Sequence, residues 1–337
     1  MKSKALTPLR LAFFGSDAFS VTSLARLNAL RLENPELIAQ LDVITRSIKP
    51  TGRNLKTFVD VPVGQFASSQ NLPVWRADSG KDILNISSRY DLAVAVSYGR
   101  LIPGEFLSRT TFGGINVHPS LLPQYSGSSP IQYALMDDQK TTGVTVQTLH
   151  PTKFDHGAII EQSGPIVIEE KDNFLLLLQR LAGVGADLLE NVIVSRKYID
   201  PLEVKSSQHY SLASKISPKK YQIDWQKQTS RQIRRTSDAL GALHTYKMVD
   251  IVKKKKRVHE LYKVILEDIR EVNIPTYLAL PGQFELGDRK MLIKTLDGVV
   301  SVGKLKFQYC GFESPETFMK LLPKRAGDTG LFFELQD

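Results

Sequence analysis

The sequence predicts two domains: a doubly wound α/β domain over residues 1–204 and a smaller β-barrel domain over residues 205–337. Three observations support this fold class. The chain has 337 residues, more than the roughly 100 to 200 of a typical domain. Its first part contains short, continuous apolar runs, which are typical of strands buried on both faces of a parallel sheet. Its last part contains strand-like runs and a hairpin turn signal at Asp297-Gly298.

The N-terminal domain is predicted to begin with a strand at residues 9–14, a turn at Gly15 and a helix over residues 18–30. Further strands are expected at residues 41–45, 72–76, 92–97, 114–118 and 144–149. Apolar residues at helical spacing then predict one long helix over residues 173–196. Residues 197–220, which contain Ser, Pro and Lys, are interpreted as a linker, so we place the domain boundary near residue 205.

The C-terminal domain is predicted to contain a helix at residues 231–240 and strands at residues 258–266, 282–285, 290–296 and 299–307. Short strands joined by turn signals favour a small, OB-like β-barrel.

The composition excludes several classes of protein. Hydrophobic residues make up 42% and charged residues 23% of the chain, values typical of a soluble globular fold. The apolar stretches are far shorter than the roughly 18 residues that span a bilayer, so no membrane partner is expected. The single cysteine, Cys310, indicates a reducing compartment and offers no Cys-rich metal site, so no metal is expected. The turn after the first strand, GSDAF, lacks the glycine fingerprint of a dinucleotide site.

The positive charge lies in the C-terminal part of the chain. The formal net charge is +9. Residues 1–204 contain 20 basic and 20 acidic side chains, whereas residues 205–337 contain 24 basic and 15 acidic ones. This asymmetry indicates a near-neutral catalytic domain followed by a domain that binds a polyanion, most commonly a nucleic acid. The alternative is a basic surface that is merely solvated.

A candidate catalytic site follows from the segment GGINVHPSLLPQYSGSSPI, residues 113–131. Asn116 and His118 lie two apart on a predicted strand and therefore share one face. Pro119 ends that strand, which puts both side chains at the carboxyl edge of the sheet, where ligands bind in open α/β folds. Asp155, in the loop after the strand at residues 144–149, can reach the same edge.

These three residue types suit acyl or formyl transfer to an amine. The substrate amine is the nucleophile, so the enzyme needs a donor for the developing oxyanion and an acceptor for the amine proton. Asn116 and His118 can supply the first, and Asp155 can supply the second. A purely structural role for each residue is the alternative, and His150 and His156, which flank Asp155, are further candidates.

The motifs resemble the formyl-tetrahydrofolate-dependent transferase family. Its Asn-x-His-x-Ser-Leu-Leu-Pro motif is similar to NVHPSLLPQYSGSSPIQYAL, residues 116–135, and its Asp-x-Gly motif to FDHGAIIEQ, residues 154–162. Further matches are TGVTVQ (142–147), FFGSDAFS (13–20), AVSYGRLIP (95–103), LASKI (212–216) and IDW (223–225). The last two, with a C-terminal β-domain, resemble the branch of the family that acts on aminoacylated tRNA.

The resemblance implies a Rossmann-like formyltransferase domain whose cosubstrate is 10-formyltetrahydrofolate. It implies formyl transfer to the α-amino group of methionine on initiator Met-tRNA, for translation initiation, with Asn116, His118 and Asp155 as catalytic residues. The expected cosubstrate-binding residues are Tyr98, Ser120, Leu121, Leu122 and Pro123. One departure is Ser126, which occupies the position where family members usually have an arginine.

Two basic segments are predicted to bind tRNA. The first, SIKPTGRNLK at residues 47–56, resembles a basic insertion of the family and contributes Lys49, Arg53 and Lys56. The second is the run Lys253, Lys254, Lys255, Lys256 and Arg257. A solvated loop or a solvated charge run is the alternative for each.

Two other functions remain open at this point: a formyl-folate-dependent transferase or hydrolase acting on a small molecule, and a non-catalytic RNA-binding relative. The divergent sequence resembles mitochondrial members of the family, which implies the mitochondrial matrix, with the bacterial cytoplasm as the alternative. The acid-poor stretch before Asp17, with Lys2, Lys4 and Arg10, is consistent with the remnant of a targeting segment. We expect a monomer.

Overall fold

The computed structural model describes residues 7–51, 57–201, 206, 208–253 and 255–336. The chain divides into two compact units. Unit 1 comprises Met1–Ile131 and Lys140–Lys215, and unit 2 comprises Gln132–Gln139 and Ile216–Asp337. Residues 132–139 belong with unit 2, where Asp138 forms an ion pair with Arg231 at 2.7 Å.

The segment just after residue 205 belongs to unit 1 because of its backbone hydrogen bonds. Ser126 N–H donates to the Ser211 carbonyl at 2.9 Å, and Ala213 N–H donates to the Ser126 carbonyl at 2.7 Å. Ser129 N–H donates to the Ala213 carbonyl at 3.1 Å. The units therefore divide between Lys215 and Ile216, later than the boundary expected from linker composition.

Unit 1 is built on a mixed sheet. Among the described residues, seven strands form this sheet in the order β10-β9-β7-β6-β1-β2-β5. The strands of unit 1 are β1 (Leu9–Gly15), β2 (Ile38–Thr45), β3 (Lys49–Thr51), β4 (Thr57–Val59), β5 (Val74–Arg76), β6 (Leu92–Val96), β7 (Gly114–His118), β8 (Thr141–Thr142), β9 (Thr145–Thr148), β10 (Ile159–Gln162) and β11 (Ile166–Val167). Two further pairs, β3 with β4 and β8 with β11, lie outside the main sheet.

The central strands are parallel, as predicted. β1 pairs with β2 and β6, β6 with β7, and β2 with β5, all in parallel. Leu11, Phe13 and Phe14 are fully buried because helices cover both faces of the sheet, which explains their continuous apolar run. At one edge of the sheet, β9 instead runs antiparallel to both of its neighbours, β7 and β10. The antiparallel pairing of β9 with β10 needs only a short connection and no crossover helix.

The first and the longest helix of unit 1 begin at residues whose side chains cap them. Asp17 accepts from Ser20 N–H at the start of the first helix, and Asn173 accepts from Leu176 N–H at the start of the longest one. The helices are α1 (Ala18–Glu33), α2 (Pro62–Ser69), α3 (Gly80–Leu84), α4 (Gly104–Ser108), α5 (Pro130–Met136), whose last five residues belong to unit 2, and α6 (Phe174–Val194). In the described parts of the chain, no helix is long and apolar enough to cross a membrane.

Unit 2 contains a curled antiparallel sheet. Its elements are a 3₁₀ helix (Pro218–Tyr221), α7 (Ser230–Leu240), β12 (Leu243–Lys253), β13 (Lys256–Val272), β14 (Phe284–Leu286), β15 (Met291–Lys294), β16 (Val299–Phe307) and α8 (Pro315–Ala326). The described strands lie in the order β12-β13-β16-β15-β14. The predicted Asp297-Gly298 turn is confirmed, because it joins β15 to β16 with Thr295 N–H donating to the Gly298 carbonyl at 3.0 Å.

The two edge strands of this sheet are bridged by residues 331–334. Phe284 N–H in β14 donates to the Leu331 carbonyl at 2.9 Å. On the other edge, Glu334 N–H donates to the carbonyl of Tyr246 in β12 at 2.7 Å, and Tyr246 N–H returns a bond to the Glu334 carbonyl at 3.1 Å. Residues 331–334, for which sequence patterns predict neither a helix nor a strand, therefore make the curled sheet barrel-like, as predicted.

The structure also contains elements that sequence patterns did not predict. Among these are β12, the β3–β4 hairpin, α2, α3, α4, α5 and α8. In β12, Lys247 lies on the buried side between apolar positions. Its charge breaks the alternation that would have predicted a strand.

Candidate active site

β7 presents Asn116 and His118 on one face at the carboxyl edge of the sheet. Ala95 in β6 pairs with Asn116, so the edge continues into the neighbouring strand, which is followed by Tyr98. β6 lies next to β1, and the order of the parallel strands reverses between these two. The Ser16 hydroxyl, just after β1, donates to the Tyr98 carbonyl at 3.4 Å. The predicted pair therefore lies one strand from the switch point, where α/β folds bind ligands.

Asp155 lies beside this pair, in the connection between β9 and β10. Its Oδ1 is 3.4 Å from Asn116 Nδ2 and 3.4 Å from His118 Nδ1. Its Oδ2 accepts from Gly127 N–H at 2.8 Å. The side chains of His118 and Asp155 are only 7% and 8% exposed, so these contacts are shielded from bulk water. The three predicted catalytic side chains are thus brought together.

His118 faces a hydrogen-bond acceptor at each ring nitrogen. Nε2 is 3.0 Å from the Tyr125 carbonyl, and Nδ1 faces the Asp155 carboxylate. A carbonyl only accepts, so Nε2 must carry a hydrogen. The ring can donate to both partners only as the imidazolium. The site can therefore hold a proton between His118 and Asp155.

The side chains of Ser120, Leu121 and Leu122 are buried in the loop after β7. Leu122 N–H donates to Thr145 Oγ1 at 3.0 Å, and the Leu122 carbonyl accepts from Gln162 Nε2 at 2.9 Å. β9 and β10 therefore fix the backbone of this loop. Contact of these residues and Pro123 with a folate stays a prediction.

Tyr98 is built into the core beside the switch point. Its hydroxyl donates to the Ala77 carbonyl at 2.7 Å, and its ring meets Phe14 edge-on with ring centroids 5.3 Å apart. Burial raises the pKa of Tyr98 to about 12, so the hydroxyl is a neutral donor. Its contact with the folate likewise stays a prediction.

His150 and His156 differ from His118 in their surroundings. His156 is exposed, and its Nδ1 lies 2.5 Å from the Phe154 carbonyl. His150 Nδ1 accepts from Thr152 N–H at 3.2 Å. The two rings meet with centroids 6.5 Å apart. Both are engaged in local turn contacts.

Ser126 occupies the position where family members usually have an arginine. Its side chain is buried, and its backbone is hydrogen-bonded to Ser211 and Ala213. Sequence patterns did not predict two groups that contact Asp155: Gly127, through its N–H, and Gln147, whose Nε2 lies 3.2 Å from Oδ1. Both lie in segments that match the family, Gly127 in residues 116–135 and Gln147 in residues 142–147. Gln147 becomes a neighbour of Asp155 only through the β7–β9 register, in which it pairs with Asn116.

Those basic residues predicted to bind tRNA that the structure describes lie in two hairpins. Lys49 is the first residue of β3, while Arg53 and Lys56 lie outside the described residues. Lys253 pairs with Lys256 where β12 meets β13, Lys255 lies in the turn between them, and Lys254 also lies outside the described residues. Arg257 donates to Asp250 at 2.8 and 2.6 Å, so its charge is partly compensated.

The Rossmann-like sheet and this donor–acceptor cluster at its carboxyl edge define a group-transfer enzyme. The chain belongs to the formyl transferase family: the family's N-terminal model, "Formyl transferase", matches residues 9–193, and "Formyl transferase, C-terminal domain" matches residues 215–322. Among the described residues, no group of three or more His, Cys, Asp or Glu side chains could hold a metal ion.

Similar proteins match this chain over most of its length. The mitochondrial methionyl-tRNA formyltransferase of Saccharomyces cerevisiae is 30% identical, over 96% of this chain and 92% of the relative. The methionyl-tRNA formyltransferase of Caldicellulosiruptor saccharolyticus is 29% identical, over 88% of this chain and 92% of the relative. The crystal structure of HypX from Aquifex aeolicus in complex with tetrahydrofolic acid is 14% identical, with a TM-score of 0.58 over 94% of this chain and 48% of that chain, a likeness of fold.

Proposed function

We propose that this protein transfers the formyl group of 10-formyltetrahydrofolate to the α-amino group of methionine on initiator Met-tRNA, for translation initiation. One observation carries the proposal: Asp155 Oδ1 is within 3.4 Å of both Asn116 Nδ2 and His118 Nδ1. The names of the relatives in yeast and in a bacterium, each matched over most of its length, support the substrate.

The residues present fit a formyl donor. The folate supplies an activated one-carbon acyl group, which becomes bonded to the amine nitrogen as its bond to the folate nitrogen breaks. The Asn116 amide, on turning from Asp155, and the His118 imidazolium, on turning from the Tyr125 carbonyl, donate hydrogen bonds to the negative charge that develops on the formyl oxygen. Asp155 accepts the proton that the amine loses, directly or through water. His118 returns a proton toward the folate nitrogen that is released, which restores charge balance.

The basic excess of residues 205–337 supports tRNA as the acceptor. We propose that the Lys253–Lys256 hairpin binds phosphates of the tRNA backbone and that Lys49, with Arg53 and Lys56, binds near its acceptor end. Lys253, Lys255 and Lys256 are exposed, as contact with a phosphate backbone requires.

We also propose that the protein acts as a monomer, away from membranes, in the mitochondrial matrix. The mitochondrial yeast relative supports this compartment, and the single cysteine is consistent with a reducing one. Fractionation of the source cells with protease protection should recover the protein in the matrix, and recovery in the cytosol would contradict this location. Light scattering of the purified protein should give the mass of one chain.

The function is tested by transfer of labelled formyl from 10-formyltetrahydrofolate. Met-tRNA and glycinamide ribonucleotide are offered as acceptors in parallel reactions, with a reaction lacking acceptor to measure hydrolysis. Label is expected on Met-tRNA alone. Label on the ribonucleotide, or release of free formate, would instead identify a small-molecule transferase or a hydrolase. Absence of transfer together with retained tRNA binding would identify a non-catalytic RNA-binding relative.

A further inference from the structure

Gln147 connects both ends of the turn that carries Asp155. Its side-chain Nε2 donates to Asp155 Oδ1 at 3.2 Å, and its Oε1 accepts from Gly157 N–H at 3.2 Å. The residue is 1% exposed and lies on β9 directly opposite Asn116 on β7. One buried amide therefore holds the carboxylate and the backbone two residues further on.

The turn needs such support because of its backbone conformation. Asp155 has a φ of +53°, in the left-handed region that residues other than glycine rarely adopt. A Cβ at Gly157 would lie 1.7 Å from the Thr148 carbonyl oxygen, so the turn runs very close to β9. The direction of the Asp155 carboxylate thus depends on contacts outside the turn, including those with β9, rather than on the turn's own preference.

The contacts of Gln147 and Asn116 with Asp155 differ in length. Both amides donate to the same oxygen, Oδ1, but the Gln147 contact is the shorter, at 3.2 Å against 3.4 Å. When the Asn116 amide turns to a substrate oxygen, Oδ1 still keeps the Gln147 donor. Asp155 can then remain oriented while Asn116 acts elsewhere.

We infer that Gln147 is a positioning residue for formyl transfer, which holds the Asp155 carboxylate in the direction that accepts the amine proton. The inference rests on the proposed function of Asp155. Gln147 acts through Asp155 and touches neither the folate nor the amine. Its loss should therefore lower turnover while leaving folate binding in place.

The test uses Gln147→Met, which keeps the length of the side chain and removes both hydrogen bonds. We expect kcat to fall about 10- to 100-fold, the effect of losing a hydrogen bond to a charged group, while the Kd of 10-formyltetrahydrofolate changes less than about 3-fold. Gln147→Glu keeps the acceptor for Gly157 but places a second carboxylate against Asp155, so its kcat should be lower still. The matched control is Thr148→Val, which removes a 2.9 Å bond to Ala158 N–H in the same connection without touching Asp155, and its kcat should change less than about 2-fold.

A double-mutant cycle with Asp155→Ala distinguishes positioning from general packing. In single-turnover reactions, Gln147→Met should change the rate less than about 2-fold when Asp155 is already alanine. A further 10-fold loss in that background would overturn the inference, as would normal kcat in Gln147→Met alone. If Asp155→Ala itself transfers formyl at the normal rate, the proposed role of Asp155 fails instead. Near-ultraviolet circular dichroism of each variant verifies that it is folded.

Discussion

The backbone N–H of Gly127 donates to Oδ2 of Asp155 at 2.8 Å. Gly127 lies in the loop after β7 and has a φ of +122°, and a Cβ there would be 2.6 Å from the Ala213 carbonyl oxygen. Gly127 thus connects the loop after β7 with the β9–β10 turn and lies against the 211–213 segment. Since hydrogen bonds to charged groups are stronger than neutral ones, the Asp155 carboxylate stabilises the contact between the β9–β10 turn and the loop after β7, in addition to its proposed role in the chemistry.

The catalytic cluster predicts large losses of activity on single substitutions. His118→Ala and Asp155→Asn should each lower turnover by about 10² to 10⁴-fold, because each removes a group that handles a proton. Asn116→Ala should lower it by about 10² to 10³-fold through loss of an oxyanion donor. Labelled formyl transfer to Met-tRNA measures all three variants.

Two nearby histidines provide the controls for these substitutions. His150→Ala and His156→Ala should retain nearly normal turnover, because the contacts of both rings with described residues are local to the turn. Near-normal turnover in the His118 and Asp155 variants would refute the mechanism.

The lysine hairpin predicts a salt-dependent contact with tRNA. Lys253→Ala combined with Lys256→Ala should weaken tRNA binding and reduce the slope of log K against log salt by about 0.7 to 0.9 for each phosphate that the protein no longer neutralises. Folate affinity should not change. Filter binding between low and physiological salt measures the slope.

A control with the same loss of charge is Lys81→Ala combined with Lys171→Ala, two exposed lysines of unit 1. This control should keep the wild-type slope. Equal slopes for both double variants and the wild type would mean that the hairpin is only a solvated surface.

The tight turn after Asp155 predicts that Gly157→Ala is severely damaging. The added Cβ would lie 1.7 Å from the Thr148 carbonyl oxygen, so the turn must move. We expect a loss of about 2 to 4 kcal/mol in the free energy of unfolding. A carboxylate displaced by about 1 Å can also cost about 100-fold in turnover. Urea titration and formyl transfer measure the two effects.

Gly164→Ala is the matched control, because a Cβ there would meet nothing within 4 Å. Its stability and turnover should both remain close to the wild type. If Gly157→Ala behaves in the same way, the turn is not constrained as described.

Lys247 predicts a pH dependence of stability in unit 2. The side chain is fully buried, and its Nζ donates to Thr329 Oγ1 at 2.6 Å. Burial lowers the pKa of Lys247 below its usual value of 10.5. Between the lowered pKa and 10.5 the unfolded chain binds this proton and the folded chain does not, so folding stability rises with pH across that window.

Lys247→Met removes this titration while keeping the side-chain length. Urea unfolding of both proteins at pH 7 and pH 10 gives the difference in the free energy of unfolding. The wild type should gain stability relative to Lys247→Met at the higher pH. A difference that stays constant between the two values would show that burial does not penalise the charged lysine.

Local sequence patterns predicted much of the fold. β7 at Gly114–His118 and β16 at Val299–Phe307 match the predicted residues, because each is an apolar run bounded by Gly or Pro or followed by a turn. α7 was predicted within one residue at its start. β12 was missed because the buried Lys247 interrupts its alternation.

The candidate site was only partly accessible from sequence. Asn116 and His118 could be placed together because a strand has a period of two. The approach of Asp155 depends on an antiparallel pairing of β7 with β9 that joins Asn116 to Gln147, 31 positions later in the chain. No local pattern encodes this register, so the family match TGVTVQ, which ends at Gln147, does not reveal the contact of that residue with Asp155.

The bridge between Tyr246 and Glu334 has a consequence for how the protein is made. These residues are 88 positions apart in the chain, and their bond joins the first strand of unit 2 to the segment that follows α8. During synthesis the ribosome must release Glu334 before the barrel can close. Unit 1, whose sheet is complete by residue 162, can begin folding well before then. The predicted folate site thus forms early. The predicted tRNA-binding unit can close only after Glu334 has been made, and such pairing between residues distant in the chain is slow.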